Sequence, residues 1–208
     1  MKKIVILISG RGSNMEAIIH AQQKKVFNAH IAAVISNRPD AKGLITARTV
    51  GIPTAVVDHK SFSDRAAFDC ALMQVIDSYA PDVVVLAGFM RILTEGFIDH
   101  YQNRLLNIHP SLLPAFTGLN THARAIASGA RFHGCSVHLV TPVLDEGPII
   151  AQAVVPILDE DTPETLAARV LEEEHRIYPL TIGQLLEGRL VVRGNRVKII
   201  AHSDSGIE

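Results

Sequence analysis

Apolar residues come in short blocks along the first half of the chain, separated by small polar turns. Residues 3–8 (KIVILI) are apolar and β-branched after the opening lysine, the pattern of a strand buried on both faces of a parallel sheet. Residues 9–14 form a turn, and the spacing of Met15, Ile18 and Ile19 predicts a helix over 15–25. The same unit then repeats. A strand is expected at 30–36 (HIAAVIS), a loop at Asn37-Arg38-Pro39-Asp40, a short helix at 41–50 stopped by Gly51, and a strand at 54–57. A long helix over 64–79 and strands at 82–87 (DVVVLA) and 104–108 (RLLNI) complete this half. The alternation predicts an α/β fold, an open, mostly parallel twisted sheet with helices on both faces. In such sheets ligands bind beyond the carboxyl ends of the strands. The turns 9–14, 88–93 and 109–121 all fall there.

The second half has a different texture. Residues 110–118 form a loop marked by proline and glycine, in which any X-Pro bond can be cis. A helix is expected at 121–128, then antiparallel strands at 135–140 (CSVHLV) and 149–156 (IIAQAVVP). A long helix spans 162–187, with Thr162 as its cap and Pro163 in the first helical position. Pro179 should end or kink it. A hairpin turns at Gly194-Asn195 within 190–200, and the last residues are expected to be disordered.

Composition narrows the function classes. With 48% hydrophobic residues in 208, the chain can bury a core without disulfides or metals. A net charge of −1 gives no basic excess of the kind that points to nucleic acid. Cys70 and Cys135 lack metal-ligand spacing and read as reduced thiols packed in the interior. The opening lysines and apolar run are too short for a secretion signal, and glycines interrupt them. No apolar run approaches the roughly eighteen residues of a membrane span.

Two clusters carry candidate chemistry. Gly10-Arg11-Gly12-Ser13-Asn14 joins a buried strand to a helix, whose exposed N–H groups and dipole attract anions. Met15 stands where a dinucleotide motif needs glycine or alanine, Ser36-Asn37 replaces the ribose-binding acid, and no P-loop lysine is present. A monophosphate site and a plain tight turn capped by Ser13 or Asn14 both remain open. In the second cluster, Asn107 and His109 flank Ile108 at a strand end, so both face the same side. Asp145, in the turn Leu144-Asp145-Glu146-Gly147-Pro148, can reach His109 if that turn folds over the sheet end. An imidazolium and an amide can donate to the oxyanion formed when an amine attacks a formyl carbon. A neighbouring carboxylate favours a protonated histidine. The alternatives are a strand-end cap for Asn107, a backbone-satisfied His109 and an ordinary turn residue at 145.

The segment Asn107-Ile108-His109-Pro110-Ser111-Leu112-Leu113-Pro114, with the distant Asp145-x-Gly147, resembles the signature of the folate-dependent formyltransferases. Gly12-Ser13-Asn14, residues 87–93 (AGFMRIL) and Glu174-His175-x-x-Tyr178-Pro179 are similar to the branch acting on glycinamide ribonucleotide. The similarity runs from residue 3 to about residue 192. It implies formyl transfer from 10-formyltetrahydrofolate to the ribonucleotide amine in purine synthesis. Asn107, His109 and Asp145 would be catalytic, with Asp145 keeping the histidine protonated. Gly12, Ser13, Asn14 and Glu174 would bind the ribonucleotide. Arg65, Met90, Arg91, Ile92, Leu93, Asn107, Val140 and Asp145 would form the folate site, the backbone of 90–93 reading the pterin. The resemblance further implies one domain over 1–200, with a phosphate-binding half to about 100, a folate and catalytic half beyond, and a tail at 201–208. It implies a cytoplasmic monomer or homodimer with small-molecule substrates and neither nucleic acid nor membrane as partner.

Three positions depart from the family pattern. Thr117 and Asn120 stand where proline and histidine are common, and Leu171 where some relatives carry a polar residue. Losing the proline should loosen the loop. Ten histidines raise the question of a metal. His133 and His138 would lie on opposite faces of one strand, His100, His109 and His122 fall in separate elements, and no HExxH occurs, so no metal is expected. Arg11 could help hold a phosphate but reads first as solvent-exposed, and of the charged run 172–176 only Glu174 is singled out. Rival readings are a formyltransferase for another acceptor such as initiator tRNA, a formyltetrahydrofolate hydrolase, and a catalytically silent folate- or nucleotide-binding protein.

Overall fold

The computed structural model describes residues 1–201. The elements run β1 (Lys2–Ile8), α1 (Ser13–Gln23), β2 (Ala29–Ser36), α2 (Gly43–Thr49), β3 (Thr54–Val56), α3 (Arg65–Asp77), β4 (Val83–Leu86), α4 (Glu95–His100), β5 (Leu105–His109), α5 (Thr121–Ala127), β6 (Phe132–Leu139), β7 (Ile149–Pro156), α6 (Pro163–Leu186), β8 (Leu190–Arg193) and β9 (Arg196–Ile199), with a 3-10 turn at His59–Ser61. All nine strands join one sheet in the order β3-β2-β1-β4-β5-β6-β7-β9-β8. The first five strands are parallel, as expected. β5 pairs antiparallel with β6, and β6 with β7.

β1 shows why an unbroken apolar strand is needed at the centre. Ile4, Ile6 and Ile8 pack with Met15 and Ile18 of α1 and with Val170, Tyr178 and Ile182 of α6. Val5 and Leu7 point to the other face, where α3 and α4 supply Phe68, Leu72, Phe97 and Ile98. The period of two thus fills two separate apolar layers.

Four local readings are corrected. α1 starts at Ser13 rather than Met15, and neither Ser13 nor Asn14 caps it; Gly12 does, at φ 79°. A Cβ there would lie 3.2 Å from Met15 and 3.4 Å from the Gly43 backbone, so glycine serves both the left-handed turn and the close approach. α6 continues past Pro179 to Leu186. The proline removes only the bond to the His175 carbonyl, while the flanking Tyr178 and Ile182 are fully buried and hold the helix to the sheet. Cys135 is buried, but Cys70 is exposed. α3 buries Phe68, Asp69, Leu72 and Ile76, which leaves position 70 on the solvent face. The helix α4 was not anticipated, because Gly96 breaks its pattern; Thr94 caps it by accepting from the Phe97 N–H at 3.4 Å. The expected disorder of the tail falls largely on 202–208, outside the described residues.

Candidate active site

The segments at the carboxyl ends of β1, β2 and β4 converge, and the Ser9 N–H donates to the Gly88 carbonyl at 3.2 Å. An open cleft of about 490 Å³ is lined by residues that include Ser9, Gly12, Ser13, Asn14, Asn37 and Met90. Arg11 is exposed at its rim, as expected. Ser13 and Asn14 open α1, where backbone N–H groups have no intrahelical partner. Asn14 Nδ2 donates to Glu174 Oε2 at 2.6 Å in a buried contact between α1 and α6. Burial raises the Glu174 carboxyl above its ordinary range, and the Asn14 bond offsets part of that. Asn14 Oδ1 is buried without a partner. All four residues expected to meet the ribonucleotide therefore lie at the α1 N-terminus or against it.

α6 is fixed to the strands beside the site by Tyr178. Its hydroxyl donates to the carbonyls of Leu86 on β4 and Leu106 on β5, at 2.9 and 3.1 Å. Burial keeps this phenol protonated.

Asn107, His109 and Asp145 come together. His109 Nδ1 lies 3.5 Å from Asp145 Oδ2, and both side chains are almost fully buried. His109 Nε2 lies 3.0 Å from the Phe116 carbonyl. Both ring nitrogens thus face oxygen acceptors. Asp145 adopts φ 57° and accepts the Gly118 N–H at 2.8 Å. Two residues on, a Cβ at Gly147 would run into the Leu139 carbonyl, so the glycine of this motif is a packing requirement.

Sequence reasoning missed the role of His138, which it had weighed only as a metal ligand. The β5–β6 register places it opposite Asn107. His138 Nδ1 faces the Leu139 carbonyl at 3.0 Å, and its Nε2 lies 3.1 Å from Asn107 Nδ2. Burial lowers the basicity of His138, so the ring is neutral at pH 7. Its Nδ1 carries the proton and its Nε2 accepts from the Asn107 amide, which fixes the direction of that amide. Asp145 Oδ1 is 4.0 Å from the same Nε2. Only the strand register could have revealed this pair.

The loop after β5 is tied down by polar side chains. Ser136 Oγ accepts the Leu113 N–H at 3.0 Å and donates to the Ser111 carbonyl at 2.7 Å, and Gln152 donates to the Leu113 carbonyl at 2.9 Å. The Leu113–Pro114 peptide is cis. Asn120, one of the departures, caps α5 in a left-handed conformation that asparagine tolerates.

The folate-side residues are only partly gathered. Leu93 is buried in the apolar layer that Val140 packs against. The Arg91 guanidinium lies 5.9 Å from the Phe68 ring centre. Met90 and Ile92 are exposed, at 69% and 54%. Arg65, at the start of α3, is exposed and makes no side-chain hydrogen bond or ion pair with the others among the described residues. Among those residues no group of His, Cys, Asp or Glu is arranged to hold a metal, and no helix is long and apolar enough to cross a membrane.

Residues 2–182 match the family described as formyl transferase. Over 192 residues the chain is 52% identical to the phosphoribosylglycinamide formyltransferase of Escherichia coli strain K12, covering 92% of this chain and 91% of that protein. It is 43% identical over 197 residues to the trifunctional purine biosynthetic protein adenosine-3 of Homo sapiens, covering 95% of this chain and 19% of that protein. The crystal structure of glycinamide ribonucleotide transformylase 1 from Symbiobacterium toebii matches with a TM-score of 0.95 at 47% identity, covering 97% of this chain and 95% of that one. With the site's geometry and these likenesses in agreement, the chain belongs to the formyl transferase family.

Proposed function

We infer that the chain transfers the formyl group of 10-formyltetrahydrofolate to the amine of glycinamide ribonucleotide, in purine biosynthesis. The observation that carries this is the buried contact of His109 with Asp145 beside an amide at Asn107 whose direction His138 fixes. The relatives support the acceptor, since their names specify glycinamide ribonucleotide or purine synthesis.

The ribonucleotide phosphate would sit on the N–H groups of Gly12, Ser13 and Asn14, with Glu174 toward the rest of that substrate. The folate would lie against residues 90–93, Arg65 and Val140. The amine nitrogen attacks the formyl carbon, and the carbonyl electron pair moves to oxygen. Asn107 Nδ2 has one N–H committed to His138, which leaves the other for the oxyanion. His109 would donate the second hydrogen bond once the Phe116 carbonyl moves aside. Collapse breaks the bond from the formyl carbon to the folate N10. That nitrogen takes up a proton as the attacking amine loses one, with His109 carrying it. Asp145 orients the imidazole and balances its charge. No enzyme nucleophile takes part, and a covalent formyl-enzyme trapped by mass spectrometry would overturn the direct route. The enzyme would work in the cytoplasm as a single domain, monomeric or homodimeric.

The direct test follows 10-formyltetrahydrofolate consumption by absorbance with and without glycinamide ribonucleotide. Turnover that requires the ribonucleotide supports the assignment. Turnover without it indicates a hydrolase, and silence in both arms indicates another acceptor or a binding protein.

A further inference from the structure

The segment 90–93 is fastened at both ends by buried side chains that have no part in the catalytic set. At one end the Met90 N–H donates to Ser9 Oγ at 2.7 Å. At the other the Thr94 N–H donates to Asp69 Oδ2 at 2.6 Å. Ser9 is 6% exposed and Asp69 1%. The Ser9 hydroxyl proton is committed to Asn37 Oδ1 at 2.6 Å, so its lone pair is directed to Met90. Asp69 is more telling. Its second oxygen, Oδ1, is buried without a partner. A carboxyl group buried for a single hydrogen bond is costly, and the packing of α3 through Phe68, Leu72 and Ile76 gives no reason for it.

Between the two fastenings the backbone is in neither helix nor strand. Its N–H and C=O groups are not consumed by regular structure. Leu93 is anchored in the core, Arg91 lies against the ring of Phe68, and Met90 and Ile92 stand out from the surface. We propose that Ser9 and Asp69 are positioning residues that hold the backbone of 90–93 in the conformation that reads the folate pterin. This rests on the assignment of that segment to the folate in the proposed function. A loop held at two points loses less freedom on binding than an open one.

The test compares Ser9→Ala, Asp69→Ala and Asp69→Asn with the wild type in steady-state kinetics, alongside hydrogen exchange of the amides at 90–94. Ser9→Ala and Asp69→Ala should each raise KM for 10-formyltetrahydrofolate about tenfold, and Asp69→Ala, which lies outside the cleft, should keep kcat at saturation within about twofold. Asp69→Ala should leave KM for the ribonucleotide unchanged. Asp69→Asn keeps an oxygen acceptor for the Thr94 N–H and should restore the folate KM, which a merely structural role would not require. An unchanged folate KM in Asp69→Ala, or an Asn variant as impaired as the Ala variant, overturns the proposal. If Asp69→Ala does not fold, Ser9→Ala carries the same test with Asp69 intact. Addition of 10-formyltetrahydrofolate should slow exchange at 90–93 in the wild type. Absence of that protection removes the folate assignment and the proposal together, whereas protection with unaltered variant KM values removes the clamp alone.

Discussion

Asn14 and Glu174 stand 160 positions apart in the chain and meet through a buried hydrogen bond of 2.6 Å. That contact joins the N-terminus of α1, where an anion would sit, to the helix that Tyr178 fixes against β4 and β5. It would tie the proposed phosphate loop to the helix packed behind the proposed formyl-transfer site.

Glu174 sets a pH dependence. Burial raises its folded pKa above the 4.5 of an ordinary glutamate. The protonated form therefore favours the fold, and stability falls as pH rises from the unfolded pKa through the folded one. Glu174→Gln keeps an acceptor for Asn14 and removes the ionisation. The variant should gain melting temperature over wild type at pH 7, and the gain should vanish near pH 4. Thermal unfolding at both pH values decides; an equal difference at both would mean that Glu174 does not titrate in this range. If Glu174 meets the ribonucleotide as proposed, KM for the ribonucleotide should rise in the same variant.

His109→Ala should lower kcat by about a hundred- to a thousandfold. Its ring lies against Asp145 and a loop carbonyl, and His109 is not among the residues lining the cleft at α1, so ribonucleotide affinity measured by calorimetry should hold. Equal loss of binding would make His109 a structural residue.

In the proposed mechanism His138 would act through Asn107. His138→Ala removes the acceptor that directs the amide, and kcat should fall about ten- to a hundredfold with both KM values little changed. If the Asn107→Ala and His138→Ala losses multiply in the double variant, the two residues are independent and the coupling is refuted.

Gly147→Ala places a methyl group against the Leu139 carbonyl, a backbone atom that cannot move cheaply. Denaturant unfolding should show a loss of roughly 1–3 kcal/mol. A variant of wild-type stability would show that the turn at Asp145 has slack.

Much of the frame was readable from local pattern. The blocks of apolar residues at β1, β2 and β4 have no polar face to present, so each had to be buried on both sides, and a parallel sheet followed. Thr162 and Pro163 announced α6 because capping is local chemistry; Thr162 forms a capping box with Thr165, and Pro163 takes the first helical position. The short helix α4 was not readable, since its one full turn carries Gly96 and too few apolar positions to show a period.

The candidate site divides along the same line. Gly12-Ser13-Asn14 and Asn107-x-His109 are contiguous, so residue types and spacing alone marked them as candidates, with the plain-turn and strand-end-cap readings still open beside the chemical ones. His138 beside Asn107, Asp69 beneath Thr94, and Cys70 in solvent depend on strand register, helix rotation and the packing of distant segments. The strand-turn-helix order, the double-sided core and the residue types at the strand ends follow from local pattern, because hydrophobic period, capping and backbone permissiveness act over a few residues. Which of those residues touch is a matter of packing, because contacts such as His109 to Asp145 and Asn14 to Glu174 are set by how whole elements meet. A pairwise geometry of that kind leaves no trace in the local pattern of either partner.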